Sequence, residues 1–420
     1  MRLRSAVASL HRWIGLSMAG FLLLAGLSGA LLAWYEELDA LLSPALLKAQ
    51  PAPGTEQALA PLALRAQVEK SYPNKLVNHI PLSQAIGRSA VFYVVARPGQ
   101  PGAPEEPVLQ VLVHPYTGQV LGDRVLGDIG FDAKHVMPFV YRLHHSLALG
   151  TIGTVLLGAI AILWTLDCFF GFWLTLPVAG RKAKSGLNPS HDAAMWRAQG
   201  GSTRRPWLVK WKKSWLIRWH DGAYKRNFDL HRAGGLWIWP MLLVFAWSSV
   251  AFNLSPIYQT AMKKSGLPFQ GTAKSLPAPG SAQLEPGLDW NQALTIGRKL
   301  MSEQALAQGF TTEREDLLYY DTRKAIFSYY VRTNLDVREK VGRTHVVFDA
   351  NSGALRSTWF PTGAASGDTF TSWITALHIA GLWGRPFQIF VTLVGCLVAM
   401  LSFTGLVIWQ KKRRLRNKAA

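Results

Sequence analysis

Four stretches of the chain are long and almost free of charge, and the pattern between them changes character. Residues 13–35, 147–177, 233–254 and 387–409 each reach the roughly 20 apolar residues that a helix needs to cross a bilayer. The first has no charged residue and the second only Asp167. Trp13, Trp34, Tyr35, Trp237, Trp239 and Trp409 stand near span ends, where side chains with an apolar body and a polar tip are favoured. The first run exceeds the about 7–15 residues of a signal-peptide core, so it is expected to remain as a span.

Between spans one and two, and again between three and four, the period changes. A helical stretch (58–72; 290–308) precedes alternating strands such as 89–97 and 326–332. A hairpin follows in each case, turning at Gly118 or Gly353. Residues 98–107 and 266–287 are rich in Pro and Gly and read as loops. Each connection is therefore expected to form a small α+β domain.

The chain also repeats itself. Leu10-His11-Arg12 with Gly15-Leu16 precedes span one, and Leu230-His231-Arg232 with Gly235-Leu236 precedes span three, 220 residues on. Leu143-His144 with Gly150 recurs as Leu377-His378 with Gly384, 234 residues on. The hairpins VLVHPYTGQVL (111–121) and VVFDANSGALR (346–356) match at 235. The expected fold is an internally duplicated, α-helical four-span membrane bundle bearing two α+β domains.

Charge sets the orientation. Residues 178–232 hold 13 Lys and Arg against three Asp, the chain starts MRLR, and span four is followed by KKRRLRNK. Basic segments stay in the cytoplasm. The expected order is span one within 1–35, periplasmic domain 36–143, span two within 144–177 and basic cytoplasmic loop 178–230. Span three within 231–254, periplasmic domain 255–376, span four within 377–410 and cytoplasmic tail 411–420 complete it. Over 420 residues, a net charge of +20 accompanies 49% hydrophobic residues, which excludes disorder. Apolar runs beside the basic segments argue for a lipid partner and against nucleic acid. Two Cys exclude a disulfide scaffold, a Cys-ligated zinc site and an iron–sulfur cluster. Cys168 and Cys396 lie inside apolar spans and are expected to be buried. Trp207, Trp211, Trp215 and Trp219, spaced by four among basic residues, suggest an amphipathic helix on the inner leaflet.

The candidate chemistry rests on four histidines. A single His at a span end is ordinarily an interfacial residue. Here the repeat puts His11 and His231 level on the cytoplasmic side, and His144 and His378 level on the periplasmic side. Two facing imidazoles per level are the geometry that fills both axial positions of a haem iron, leaving electron transfer as the natural task. No Cys-x-x-Cys-His is present, so two haem b groups are expected rather than covalent haem. Zinc is disfavoured because two His lack further ligands. Arg12 and Arg232 beside the inner pair, and Arg142 and Arg385 near the outer pair, are candidate partners for haem propionates. Gly15, Gly20, Gly26, Gly29, Gly150, Gly153, Gly234 and Gly235 are candidates for close approach of a flat macrocycle. His145 is the alternative to His144; the repeat favours His144. His114, His135, His191, His220 and His345 read as ordinary residues, and Asp167 as a functional candidate or a surface charge.

The His-Arg-x-x-Gly-Leu phrases at His11 and His231, the Leu-His phrases at His144 and His378, and the hairpins at Gly118 and Gly353, duplicated in this order, resemble the PepSY-associated transmembrane family. Within it they are similar to the ferric-siderophore (ferrioxamine-type) reductases of the bacterial inner membrane. Asp167-Cys168 departs from a small Ser-Gly pair usual there, and His114 stands where the second copy has Asp349. The resemblance implies PepSY-like periplasmic domains and an enzyme, a dihaem oxidoreductase. It would pass electrons from the cytoplasmic side to a ferric siderophore and release Fe(II). Trp359, Phe360, Trp373 and Trp383 would wall the siderophore site. No Gly-rich nucleotide motif follows a strand, so the donor would be a separate cytoplasmic partner or a quinol. A non-redox accessory for siderophore transport or protease regulation, and a dihaem subunit for another acceptor, are the competing readings.

Overall fold

A computed structural model describes residues 2–54, 57–97, 108–130, 132–178, 207–278 and 281–419. The 98–107 loop, His191 and much of the basic loop lie outside them. The chain divides into two compact units, one of residues 1–27, 158–247 and 393–420, the other of residues 28–157 and 248–392.

Among the described residues, three helices are long and apolar enough to cross a membrane: Leu3–Leu32, Gly150–Thr175 and Gly384–Asn417. A fourth crossing is possible only as a bent pair, Ala223–Trp237 with Trp239–Asn253, which turn by 69°. The expected single third span is thus broken at Ile238. Pro240 explains the break, since it has no N–H to give and its ring collides with the carbonyl four residues back.

The expected starts of spans two and four also change. His144 ends not the span but a separate helix, Ala133–Ser146, and His378 closes another, Ser366–His378. Leu147 and Ala148 (φ 53° and 57°), and Ala380 and Trp383 (φ 54° and 51°), adopt left-handed backbone between these helices and the spans. Such residues cost roughly 1–2 kcal/mol each.

Among the described residues, all the strands lie in the second unit. They are β1 Lys75–Pro81, β2 Ala90–Ala96, β3 Leu109–Val113, β4 Val120–Val125, β5 Thr312–Asp321, β6 Ile326–Thr333, β7 Thr344–Asp349 and β8 Leu355–Trp359. They form one eight-stranded sheet in the order β4-β3-β2-β1-β5-β6-β7-β8, rather than two separate domains. The join is antiparallel, with His79 opposite Tyr319, Ile80 opposite Leu318 and Pro81 opposite Leu317. Each half would otherwise expose its first strand as an unpaired edge, and pairing removes both edges. Helix Pro61–Ser71 buries Leu64 and Val68 against Val77, Ile80 and Phe92. Helix Trp290–Gln308 buries Ala293 and Met301 against Leu318, Phe327 and Phe348. The hairpin turns use Gly118 (φ 75°) and Gly353 (φ 73°), a conformation that a side chain would strain.

Helix Trp290–Gln308 is capped reciprocally: Asp289 Oδ1 accepts from Gln292 N, and Gln292 Oε1 accepts from Asp289 N, both at 2.9 Å. Asp289→Ala is expected to cost about 1 kcal/mol. Hydrogen exchange should show faster opening of the first-turn amides of this helix, with Pro61–Ser71 unchanged.

Candidate cofactor site

In the first unit, helix Arg2–Leu32 carries His11 and helix Ala223–Trp237 carries His231. Their ring centroids are 6.1 Å apart. Each ring is fixed from behind through Nδ1. Asp167 Oδ1 lies 2.9 Å from His11 Nδ1. His231 Nδ1 meets the Leu401 carbonyl and Thr404 Oγ1, both at 3.1 Å. A carbonyl only accepts, so His231 carries its proton on Nδ1 and its lone pair on Nε2, the tautomer of a metal ligand. Gly171 and Gly405 lie against the two rings; a Cβ at either would stand 3.3 Å from the imidazole Cε1.

A cavity of 630 Å³ opens beside these rings, lined by His11, His231 and Asp167. Arg4, Arg12, Arg232 and Lys412 also line it, against Asp167 as its one acidic lining residue. Arg12 Nε and Arg232 Nε are buried without a hydrogen-bond partner. Their Nη2 groups are held, Arg12 by Ser9 Oγ at 3.1 Å and Arg232 by Asp229 Oδ1 at 2.9 Å.

In the second unit, the His144 and His378 rings meet edge-on, with centroids 6.3 Å apart and planes at 78°. Ser28 Oγ is 2.9 Å from His144 Nδ1, and Ser248 Oγ is 2.6 Å from His378 Nδ1. Phe252 packs on the His378 ring at 5.4 Å. A Cβ at Gly29 would stand 3.1 Å from His144 Cε1. His145 is exposed and takes another direction, with Nδ1 2.8 Å from the Tyr141 carbonyl. Neighbouring helix positions point about 100° apart, so only His144 joins the pair.

A pair of rings can be tested against a shared metal. An imidazole nitrogen lies about 1.1 Å from its ring centre and a metal–imidazole bond is about 2.0–2.1 Å. Two imidazoles sharing one metal would therefore have centroids at most about 6.3 Å apart. Both observed separations lie within that limit. A cation-lined cavity with orphaned arginine nitrogens also suits a flat macrocycle bearing carboxylates. Among the described residues, no group of three or more His, Cys, Asp or Glu is placed to hold a metal ion.

The family model for the PepSY-associated TM region matches residues 8–412. This chain belongs to that family. It is accordingly a membrane protein, in keeping with its apolar helices. No curated protein matches it.

In this PepSY-associated protein, several residues expected at the site have other work. Arg142 donates to the Gly127 carbonyl, and Arg385 is exposed in the first turn of its helix. Of the eight glycines expected to admit a macrocycle, Gly15 and Gly235 line the cavity, where Gly171 and Gly405 join them. A Cβ at Gly26 would stand 2.6 Å from the Gly395 carbonyl, and one at Gly153 only 1.7 Å from the Ser146 carbonyl. Those two serve close backbone packing. Phe360 is buried in the sheet core and cannot wall a ligand site, whereas Trp373 and Trp383 are exposed. Trp359 gives its Nε1 hydrogen to Asp368 Oδ1 at 3.2 Å.

Cys168 is buried as expected, but Cys396 is exposed on its helix. The Trp stripe is not one helix. Trp207–Lys212 is helical, Lys213–Trp215 tightens to a 3-10 turn, and Trp219 lies in a turn beyond it. Arg218, which gives its Nε hydrogen to Asp229 Oδ2 at 2.6 Å, holds the chain out of a continued helix.

The other histidines sit apart from the pairs. His220 is exposed, His135 meets Asp132, and His114 packs on Tyr116. His345 stacks between Tyr330 and Trp359. Burial pushes the imidazoles of His345 and His79 down to about 4. Sequence reasoning missed Ser28, Ser248, Gly171 and Gly405. The signal was present: Ser28 and Ser248 are 220 residues apart, Gly171 and Gly405 are 234 apart, the separations of the histidines themselves.

Proposed function

We propose that this chain is an internally duplicated, four-span dihaem b-type protein of the bacterial inner membrane. In this reading it passes electrons from the cytoplasmic side to a ferric siderophore in the periplasm. The observation that carries the reading is the two imidazole couples, 6.1 and 6.3 Å between centroids, each ring anchored through Nδ1. His11 with His231, and His144 with His378, would be the axial ligands, and Arg12 and Arg232 would meet propionates in the cavity. Haem held this way supplies one-electron Fe(III)/Fe(II) chemistry with no open axial position for O₂.

The matched separations of His, Ser and Gly support the duplication, and the basic segments support cytoplasmic termini with the sheet outside. On the outer side, Fe(III) bound by hard oxygen ligands would take one electron and become Fe(II), which those ligands hold weakly. The donor is a cytoplasmic protein or a quinol. A PepSY accessory role without redox chemistry gives no account of two anchored imidazole couples.

The purified, detergent-solubilised protein should show a Soret band, sharp reduced α and β bands, and two haems per chain. Protein from haem-replete cells that stays colourless would sink the reading. After dithionite reduction and desalting, addition of ferrioxamine should reoxidise the haem. Haem without reoxidation by any ferric siderophore would assign another acceptor.

A further inference from the structure

The four ring anchors are not equivalent, and the inequality lies in one side chain. His144 and His378 are anchored by serine hydroxyls, and His231 by a carbonyl and a threonine hydroxyl, all neutral. His11 is anchored by a carboxylate, Asp167 Oδ1 at 2.9 Å. Asp167 stands 234 residues before Leu401, so the matching place in the other half supplies only a backbone carbonyl. The Asp167 side chain is 6% exposed, so water screens its interaction with the ring little.

Resting on the dihaem reading above, we infer that Asp167 is a positioning residue for His11 that makes the His11–His231 haem harder to reduce than the His144–His378 haem. A carboxylate drawing on the Nδ1 proton raises electron density at Nε2 and strengthens the ring as a donor. A stronger donor, with a negative charge close by, favours the ferric state. Electron flow from the His11 side to the His144 side is then downhill. Gly171, against the same ring edge, leaves room for the imidazole to settle on Asp167 without displacing it.

The test is a spectrally monitored redox titration of the full-length protein in detergent, beside its haem content. Asp167→Asn keeps the shape and a neutral acceptor. It should shift the ferric/ferrous equilibrium of one haem about tenfold toward ferrous, about 59 mV upward for one electron. The other midpoint should stay in place, and Asp167→Glu should stay near wild type. Two bound haems with both midpoints unmoved in Asp167→Asn would overturn this inference and leave the dihaem reading intact. A wild-type protein without haem overturns both. Loss of one haem from Asp167→Asn but not from Asp167→Glu supports the role of the charge. Loss from both overturns it, since fit rather than charge would then be what Asp167 provides.

Discussion

Replacing His11 or His231 by Ala should leave one haem per chain, and replacing His144 or His378 should leave the other. The reason is geometric. Each couple brings two imidazoles to a separation at which they could share a metal, and the carboxylate beside His11, Asp167, is engaged with His11 Nδ1 rather than free to substitute for a lost ring. A haem held by such a couple would lose one of its two protein ligands in each variant, and with it much of what holds it in place. The expected readout is a fall of about half in pyridine-haemochrome content, as two independent sites imply. The retained midpoint should differ between the His11 or His231 variants and the His144 or His378 variants. His145→Ala, by contrast, should keep both haems, because His145 faces the Tyr141 carbonyl. If every single His variant lost both haems while remaining folded, the independence of the two couples would be wrong.

Much of this arrangement was legible in the sequence because it depends on composition or exact recurrence. Apolar runs located the spans, the recurring Leu-His phrases located all four imidazoles, and helix Trp290–Gln308 follows its pattern to the residue. What was not legible depends on distant contacts. The pairing of His79 with Tyr319 joins strands 240 residues apart, and nothing local in either strand announces it. Pro240 signals the bend at Ile238, but a count of apolar residues passes over it. The left-handed turns at Leu147 and Ala148 use no glycine, so the separate helix that carries His144 was hidden. Ser28 and Ser248 look like incidental small residues in apolar runs until the rings they anchor are placed. Asp167 was visible as an intramembrane charge, but its partner, 156 residues away, was not.

Arg124→Met should destabilise the second unit by about 3–5 kcal/mol, the cost of leaving a buried carboxylate without its counter-charge. Arg124 on β4 meets Asp39 of helix Tyr35–Leu42 in a two-pronged pair, 2.9 Å from Nη1 to Oδ1 and 2.7 Å from Nη2 to Oδ2. Both side chains are nearly inaccessible, at 2% and 3% exposure. Its Nε also donates to Gln110 Oε1 at 2.6 Å, and Nη1 to the Lys134 carbonyl at 2.8 Å. That last bond reaches the first turn of helix Ala133–Ser146, which ends near His144. One guanidinium therefore ties the sheet, the helix after span one and the helix of a proposed ligand. The pair contributes little net stability by existing, because desolvating both charges offsets most of their attraction. Its removal from one side only is what costs. Asp39→Leu with Arg124→Met should accordingly recover part of the loss, and a double-mutant cycle on denaturation in detergent measures the coupling. The single variant should also release the His144–His378 haem at lower denaturant than the His11–His231 haem. Equal destabilisation by the single and double variants would show that lost packing, rather than the stranded Asp39 carboxylate, sets the cost.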